Sequence, residues 1–222
     1  MDVILPAAGL ASRMRGLPKF LLPANKEYKS LLEIHLSELE KNSENIYLPT
    51  RPELAPIIKS LDFDFKNLKI IEMETNTMSE TVLNTIDSTN SENYVLIMPD
   101  TYFLGEKPYE KLLKHSGFCN LSCWRIRDEQ RGKLGEVKIN ELFEVEKIVD
   151  KEPKNGFEFA WGALNFSRSI KNYIKTEDPH IGYAVKNAIE DNRKVNAFKV
   201  DGKYFDCGTP EEYVELLKEV LL

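Results

Sequence analysis

The residues best equipped for chemistry lie near the start of the chain, in Leu5-Pro-Ala-Ala-Gly-Leu-Ala-Ser-Arg-Met-Arg-Gly-Leu-Pro-Lys-Phe-Leu-Leu-Pro23. Small side chains at Ala7, Ala8 and Gly9 let a ligand approach the backbone closely. Arg13, Arg15 and Lys19 follow with three cations, and a guanidinium can grip two phosphate oxygens at once. That pattern suits a polyphosphate. A plain strand-to-helix turn with solvated charges is the other reading of the same string. It is not a Walker loop, because Gly132-Lys133 and Gly202-Lys203 are followed by Leu and Tyr rather than Ser or Thr. Nor is it the dinucleotide Gly-x-Gly-x-x-Gly, since Ala11 stands at the second glycine.

The other reactive side chains form no such group. Cys119 and Cys123 could share one strand face, but the second pair that zinc requires is missing, so they read as buried small hydrophobes. His35, His115 and His180 show no metal or triad spacing, and His35 and His115 read as helix-face residues. Trp161 and Tyr204 could flank a ligand, but core packing is the simpler role.

Elements that could position the basic loop alternate along the first half. Asp2–Pro6 reads as a strand, and a helix is expected in Ser30–Lys41 with Leu31, Ile34 and Leu39 apolar. Ile46–Leu48 and Lys69–Ile71 read as strands, with a helix from Pro52 between them. Thr77-Met-Ser-Glu80 is a capping box opening a helix to about Ser88. Tyr94–Met98 is a continuous apolar run, as in a strand covered on both faces. Strands then crowd together at Leu121–Ile126, Glu136–Ile139, Val145–Val149 and Phe159–Phe166. Helical patterns return at Ser169–Lys175 and Ile181–Asp191, followed by a strand at Val195–Val200 and a capped helix from Pro210. The fold class is therefore α/β: a Rossmann-like, doubly wound, mixed but mostly parallel sheet with helices on both faces and a β-rich insertion in the second half. In such sheets ligands sit beyond the carboxyl ends of the strands.

The basic string resembles the signature of the sugar-phosphate nucleotidyltransferases, the pyrophosphorylases that make nucleotide sugars. That signature is an apolar strand, Ala-Ala-Gly-x-Gly-Thr-Arg, a spacer, Pro-Lys and a closing Pro. Ala7, Ala8, Gly9, Arg13, Pro18, Lys19 and Pro23 match in order. Ala11 replaces the second glycine, and Ser12 replaces the threonine while keeping a hydroxyl. Met98-Pro-Asp-Thr-Tyr-Phe103 and Tyr204-Phe-Asp-Cys-Gly-Thr-Pro-Glu-Glu-Tyr213 are similar to the family segments carrying two magnesium-binding aspartates. Leu134-Gly-Glu-Val137 and Asp150-Lys151 are similar to its sugar-contacting segments, with Glu146-Lys147 a rival placement for the second.

The resemblance implies a GT-A-like nucleotidyltransferase fold, one catalytic domain over residues 1–222, and the core alone with no appended β-helix. It implies transfer of a nucleotidyl group from a triphosphate to a sugar 1-phosphate, with Mg²⁺ as cofactor. Ala7, Ala8, Gly9, Ser12, Arg13, Lys19, Ser79 and Asp100 would bind the nucleotide, and Asp100 and Asp206 the metal. Lys19, Arg13, Asp100 and Asp206 would form the catalytic set, while Gly135, Asp150 and Lys151 would hold the acceptor. Base selection would fall to Glu72–Thr81, and a pyrimidine triphosphate is expected from the overall likeness. Two rivals stay open: a cytidylyltransferase acting on a non-sugar phosphate or phosphonate such as phosphocholine, and a non-catalytic nucleotide-binding relative.

Composition narrows the remaining classes. With 222 residues, 42% apolar and 30% charged, the chain can bury a large core without disulfides or structural metal. A net charge of −6 opposes a nucleic-acid partner. No apolar run approaches the ~18 residues of a membrane span, and the start has no basic segment of a signal peptide. A cytoplasmic protein without membrane association is expected, and a homo-oligomer is compatible with the family.

Overall fold

The structure is a computed structural model that describes every residue except 62, 153 and 222. The first strand, β1 (Asp2–Ile4), leads through the basic loop, with short 3-10 turns at Ser12–Met14 and Lys19–Leu21, to helix α1 (Leu31–Leu39). Ser30 and Glu33 form a reciprocal capping box at the start of α1, which satisfies two backbone N–H groups the helix leaves open. Next come β2 (Ile46–Thr50), α2 (Ala55–Ser60), β3 (Leu68–Glu72), α3 (Met78–Asp87) and β4 (Asn93–Ile97). The helix expected from Pro52 begins at Ala55 instead, because residues 52–54 are spent on a turn.

Two elements then appear that the sequence reading did not separate: strand β5 (Thr101–Gly105) and helix α4 (Tyr109–Lys114). Strands β6 (Cys119–Arg125), β7 (Gly135–Ile139), β8 (Val145–Asp150) and β9 (Phe159–Ser167) follow as expected. Residues Arg168–Tyr173 form a 3-10 helix rather than an α-helix. The chain continues through α5 (Gly182–Glu190), β10 (Val195–Lys199), the unforeseen strand β11 (Gly202–Asp206) and α6 (Pro210–Leu221).

The main sheet runs β10-β6-β9-β4-β1-β2-β3, and along this path only β9 opposes the rest; β7 and β8 extend from β9 as a hairpin. Alternation along the central strands sends side chains to both faces. Val3, Val95 and Ile97 pack beneath α1, α2 and α4, whereas Ile4, Tyr94 and Leu96 pack beneath α3 and α5. Burying both faces explains the near-continuous apolar runs. Cys119 and Cys123 are buried on the α3–α5 side as small hydrophobes, and burial pushes both thiols far up. No helix among the described residues is long and apolar enough to cross a membrane.

Strands β5 and β11 form a separate antiparallel ribbon, with Thr101 opposite Asp206 and Gly105 opposite Gly202. Gly202 sits at φ +130, and an added Cβ would stand 2.1 Å from the Leu104 carbonyl oxygen, so only glycine closes this end. The ribbon is fastened to the sheet by an aromatic stack. Phe103 lies 5.1 Å from Trp124 at an interplanar angle of 2°, and Trp124 lies 5.2 Å from Tyr204.

Candidate active site

Strands β1 to β4 are parallel, so their carboxyl ends share one edge. The chain order switches direction between β1 and β4, which is where an open α/β sheet forms a crevice. Two adjoining clefts occupy this edge, of about 440 Å³ and about 580 Å³. Both are lined by Gly9, Arg13, Lys19 and Asp100. Ala7 and Ser12 line the smaller cleft, and Ala8 the larger. A Cβ added at Gly9 would meet nothing within 4 Å, so this part of the loop faces open space. Arg15, by contrast, is exposed and lines neither cleft.

Asp100 is held by the turn that joins β4 to β5. Thr101 donates both its backbone N–H and its hydroxyl to the Met98 carbonyl, at 3.2 Å and 2.7 Å. Behind it, buried His35 donates from Nε2 to the Thr101 carbonyl at 2.9 Å and accepts from the Tyr109 hydroxyl at Nδ1. Burial lowers the His35 pKa to about 4, so this ring is a neutral structural strut. It does lie on a helix face as read, but on the inner one. His115 instead follows the end of α4 and is exposed.

The ribbon brings Asp206 to Asp100. Cys207 donates its backbone N–H to the Asp100 carbonyl at 3.0 Å, immediately after the end of β11. Asp206 thus closes a strand of the separate ribbon and not one of the main sheet. Lys19 reaches in from the basic loop, its Nζ 2.5 Å from Asp100 Oδ2. A Cβ built on Gly208 would stand 3.1 Å from Asp206 Oδ1, 3.3 Å from Glu212 Oε2 and 3.4 Å from Arg13 Nη1. Hence Arg13, Asp206 and Glu212 converge around that glycine.

Charge in this corner is unbalanced. Burial first, then the charges of Asp100 and Glu212, raise the Asp206 carboxyl to about 7, against the opposing pull of Lys19 and Arg13. A further cation would relieve that repulsion. Among the described residues, no group of three or more His, Cys, Asp or Glu side chains is arranged to hold a metal by itself. Two carboxylates completed by substrate phosphates are the usual arrangement for Mg²⁺, so the hard oxygen donors of Asp100 and Asp206 fit that ion.

The far side of the larger cleft carries Gly135, Asp150 and Lys151. The rival pair Glu146-Lys147 lies exposed along β8 and lines neither cleft. Lys151 follows β8 in a left-handed conformation, φ +53, and its backbone N–H donates to the Leu134 carbonyl at 3.2 Å. Gly135 is needed for space: a Cβ there would lie 2.2 Å from the Trp161 Nε1. Trp161 and Tyr204 are buried, as core packing requires, yet both also reach the cleft wall.

Ser79 is not brought to the site. It is fully buried on the inner side of α3, with its hydroxyl unpartnered, whereas Thr75, Asn76, Thr77, Met78 and Thr81 line the cleft. The helix that Thr77 caps turns the third position inward. The capping box itself is rearranged: Thr77 accepts from the Glu80 backbone N–H, but the Glu80 carboxylate accepts from the Asn76 N–H. Sequence reading also missed His180, which lines the cleft with its Nε2 3.1 Å from Asp150 Oδ2.

No family model and no curated protein matches this sequence. Solved structures do match in fold. A UDP-glucose pyrophosphorylase complexed with UDP-glucose superposes with a TM-score of 0.78 at 18% identity, covering 98% of this chain and 97% of that one. A Bacillus anthracis protein described as a glucose-1-phosphate thymidylyltransferase gives 0.81 at 16% identity, covering 99% and 95%. The inositol-1-phosphate CTP transferase from T. maritima gives 0.80 at 15% identity, also covering 99% and 95%. Over nearly its whole length, then, the chain has the fold of the sugar-phosphate nucleotidyltransferases.

Proposed function

We propose that the chain transfers a nucleotidyl group from a nucleoside triphosphate, in the first instance a pyrimidine one, to a sugar 1-phosphate, releasing pyrophosphate. The observation that carries this reading is the convergence of Lys19, Arg13, Asp100 and Asp206 at the switch-point crevice, opposite Asp150 and Lys151. The shared fold supports it.

Joining two phosphate-bearing anions requires positioning and charge neutralisation, and no covalent protein intermediate. An oxygen of the acceptor phosphate attacks the α-phosphorus in line, the bond to the β-phosphate oxygen breaks, and pyrophosphate leaves. Lys19 neutralises charge at the α-phosphate. Arg13 holds the departing pyrophosphate, and the backbone of Ala7, Ala8 and Gly9 leaves the room in which the nucleotide lies. Lys151 holds the acceptor phosphate, while Asp150 accepts from its hydroxyls. Asp100 and Asp206 would hold Mg²⁺, which when bound supplies positive charge to the phosphates.

Pyrophosphate release measured across the common triphosphates and a panel of sugar 1-phosphates, inositol 1-phosphate and phosphocholine tests the reading. Turnover with a sugar phosphate supports it. Turnover with phosphocholine alone transfers the activity to a non-sugar acceptor, and binding of nucleotide without any release defeats the enzyme reading.

A further inference from the structure

His180 has no part in the chemistry above, yet it is built into the acceptor wall. It lies in the segment just before α5, which is tied to α3 where Met78 donates its N–H to the Pro179 carbonyl at 3.2 Å. Its ring is confined by Tyr183, with centroids 5.0 Å apart, and by Trp161 at 6.2 Å. Gly182 makes this fit possible, since a Cβ there would lie 2.9 Å from the imidazole and 3.0 Å from Trp161.

The hydrogen bonds select one form of the ring. Gly182 donates its backbone N–H to His180 Nδ1 at 3.2 Å, so Nδ1 must present its lone pair. The neutral ring then carries its hydrogen on Nε2, which faces Asp150 Oδ2 at 3.1 Å. Asp150 is thereby held as an anion with one oxygen occupied and the other left for a donor. The same bond is the largest influence holding the Asp150 carboxyl below its usual range, against the cost of burial.

We propose that His180 is a positioning residue that fixes Asp150 as the hydrogen-bond acceptor for a hydroxyl of the acceptor substrate, making the site selective for hydroxyl-bearing over hydroxyl-free phosphates. The inference rests on the transferase reading for its substrate. An ionised carboxylate accepts and never donates, so a hydroxyl pointing at it is rewarded. An acceptor lacking that hydroxyl leaves the second oxygen of this half-buried carboxylate without its donor, which is how polar pockets discriminate most strongly. Lys151, Glu152, Glu177 and Lys186 are the charged groups around the pair, with Tyr183 the remaining titratable neighbour.

The test uses the intact protein with His180→Ala and His180→Gln. His180→Ala should raise the acceptor KM by roughly 10–100-fold, the range for losing a hydrogen bond to a charged group, and leave the triphosphate KM within about twofold. His180→Gln, which keeps a donor at the end of its side chain, should recover most of the loss. Removing the acceptor hydroxyl should erase the difference between wild type and His180→Ala, because both changes break one interaction. The rise of acceptor KM on acidification should begin at higher pH in His180→Ala. Unchanged acceptor KM, equal loss for both substrates, or no recovery with Gln overturns the proposal. Long-range ¹H–¹⁵N spectra of wild type provide an arm independent of turnover. Hydrogen on Nε2, with an Nε2 shift that changes in Asp150→Asn, supports the pairing, and hydrogen on Nδ1 overturns it. No turnover by wild type with any acceptor defeats the transferase reading and the substrate role with it, while the spectra still decide the His180–Asp150 bond.

Discussion

Lys19 Nζ stands 2.5 Å from Asp100 Oδ2, and both side chains are largely shielded, at 16% and 20% exposure. A cation from the basic loop thus rests on a carboxylate from the β4–β5 turn, 81 positions later in the chain. The pair lies on the wall shared by the two clefts. In the proposed reaction Lys19 turns to phosphate and Asp100 to a metal, so each partner of this pair would exchange the other for substrate or ion.

Lys19→Ala should therefore reduce turnover by roughly 10²–10³-fold, the effect of deleting one preorganised charge stabiliser. Thermal denaturation should show that the fold survives. Wild-type turnover at saturating substrate would remove Lys19 from the chemistry.

Asp100→Asn and Asp206→Asn should each abolish most activity and raise the Mg²⁺ concentration needed for the remainder, because divalent affinity follows ligand charge. Two ligands of one ion do not act independently. The double variant should be little worse than the worse single one. Multiplicative losses, or full activity in excess chelator, would separate the two carboxylates.

Asp206 also predicts a pH effect. Burial with Asp100 and Glu212 nearby raises its carboxyl in the folded state to about 7, above the unfolded value. The folded protein then holds that proton more tightly than the unfolded chain, so this stabilisation is present in acid and is lost as pH rises through about 7. In chelator, Asp206→Asn should raise the melting temperature at pH 8 by roughly 5 °C, for a gain on the order of 2 kcal/mol. At pH 5 the difference should shrink to roughly a third, and it should vanish only below about pH 4, where the unfolded carboxyl is protonated as well. Calorimetry at the two pH values checks the sign.

Lys151→Gln should raise the acceptor KM about tenfold and spare the triphosphate KM, while Lys147→Gln should change neither. Steady-state kinetics with each substrate varied separately distinguishes the two placements.

Ala11 lies at φ +49, ψ 34, the left-handed region that glycine enters freely. Ala11→Gly should relieve that strain. The net gain, after glycine's greater freedom in the unfolded chain, is about 0.5–1 kcal/mol, or roughly 2 °C in melting temperature. A lowered melting temperature would show that the loop tolerates the methyl group without strain.

The sequence carried the central strand plainly, because Tyr94–Ile97 is buried on both faces and apolar throughout. The basic loop was legible for a different reason: its residues act locally, within one turn. The β5–β11 ribbon was not legible, since its pairing joins Thr101 to Asp206 across nearly half of the chain and is fastened by Trp124 from a third strand. Pro52 and Arg168–Tyr173 misled because helix-compatible residues were used for a turn and a 3-10 segment. Ser79 was misassigned through proximity in sequence; one helical step separates a side chain facing the cleft from one facing the core. His180 left no pattern at all, for its meaning comes only from Asp150, 30 positions earlier.

The ribbon also sets a timetable. On a ribosome, Lys19 and Asp100 emerge together with the first four strands, but the strand that ends in Asp206 is made 106 residues after Asp100. At about 5–20 residues per second that interval is roughly 5–20 s. Throughout it β5 has no partner, and the crevice lacks one of its two carboxylates. Under the proposed function, a nascent chain that has made its first four strands still lacks Asp206, so competence arrives late in its synthesis.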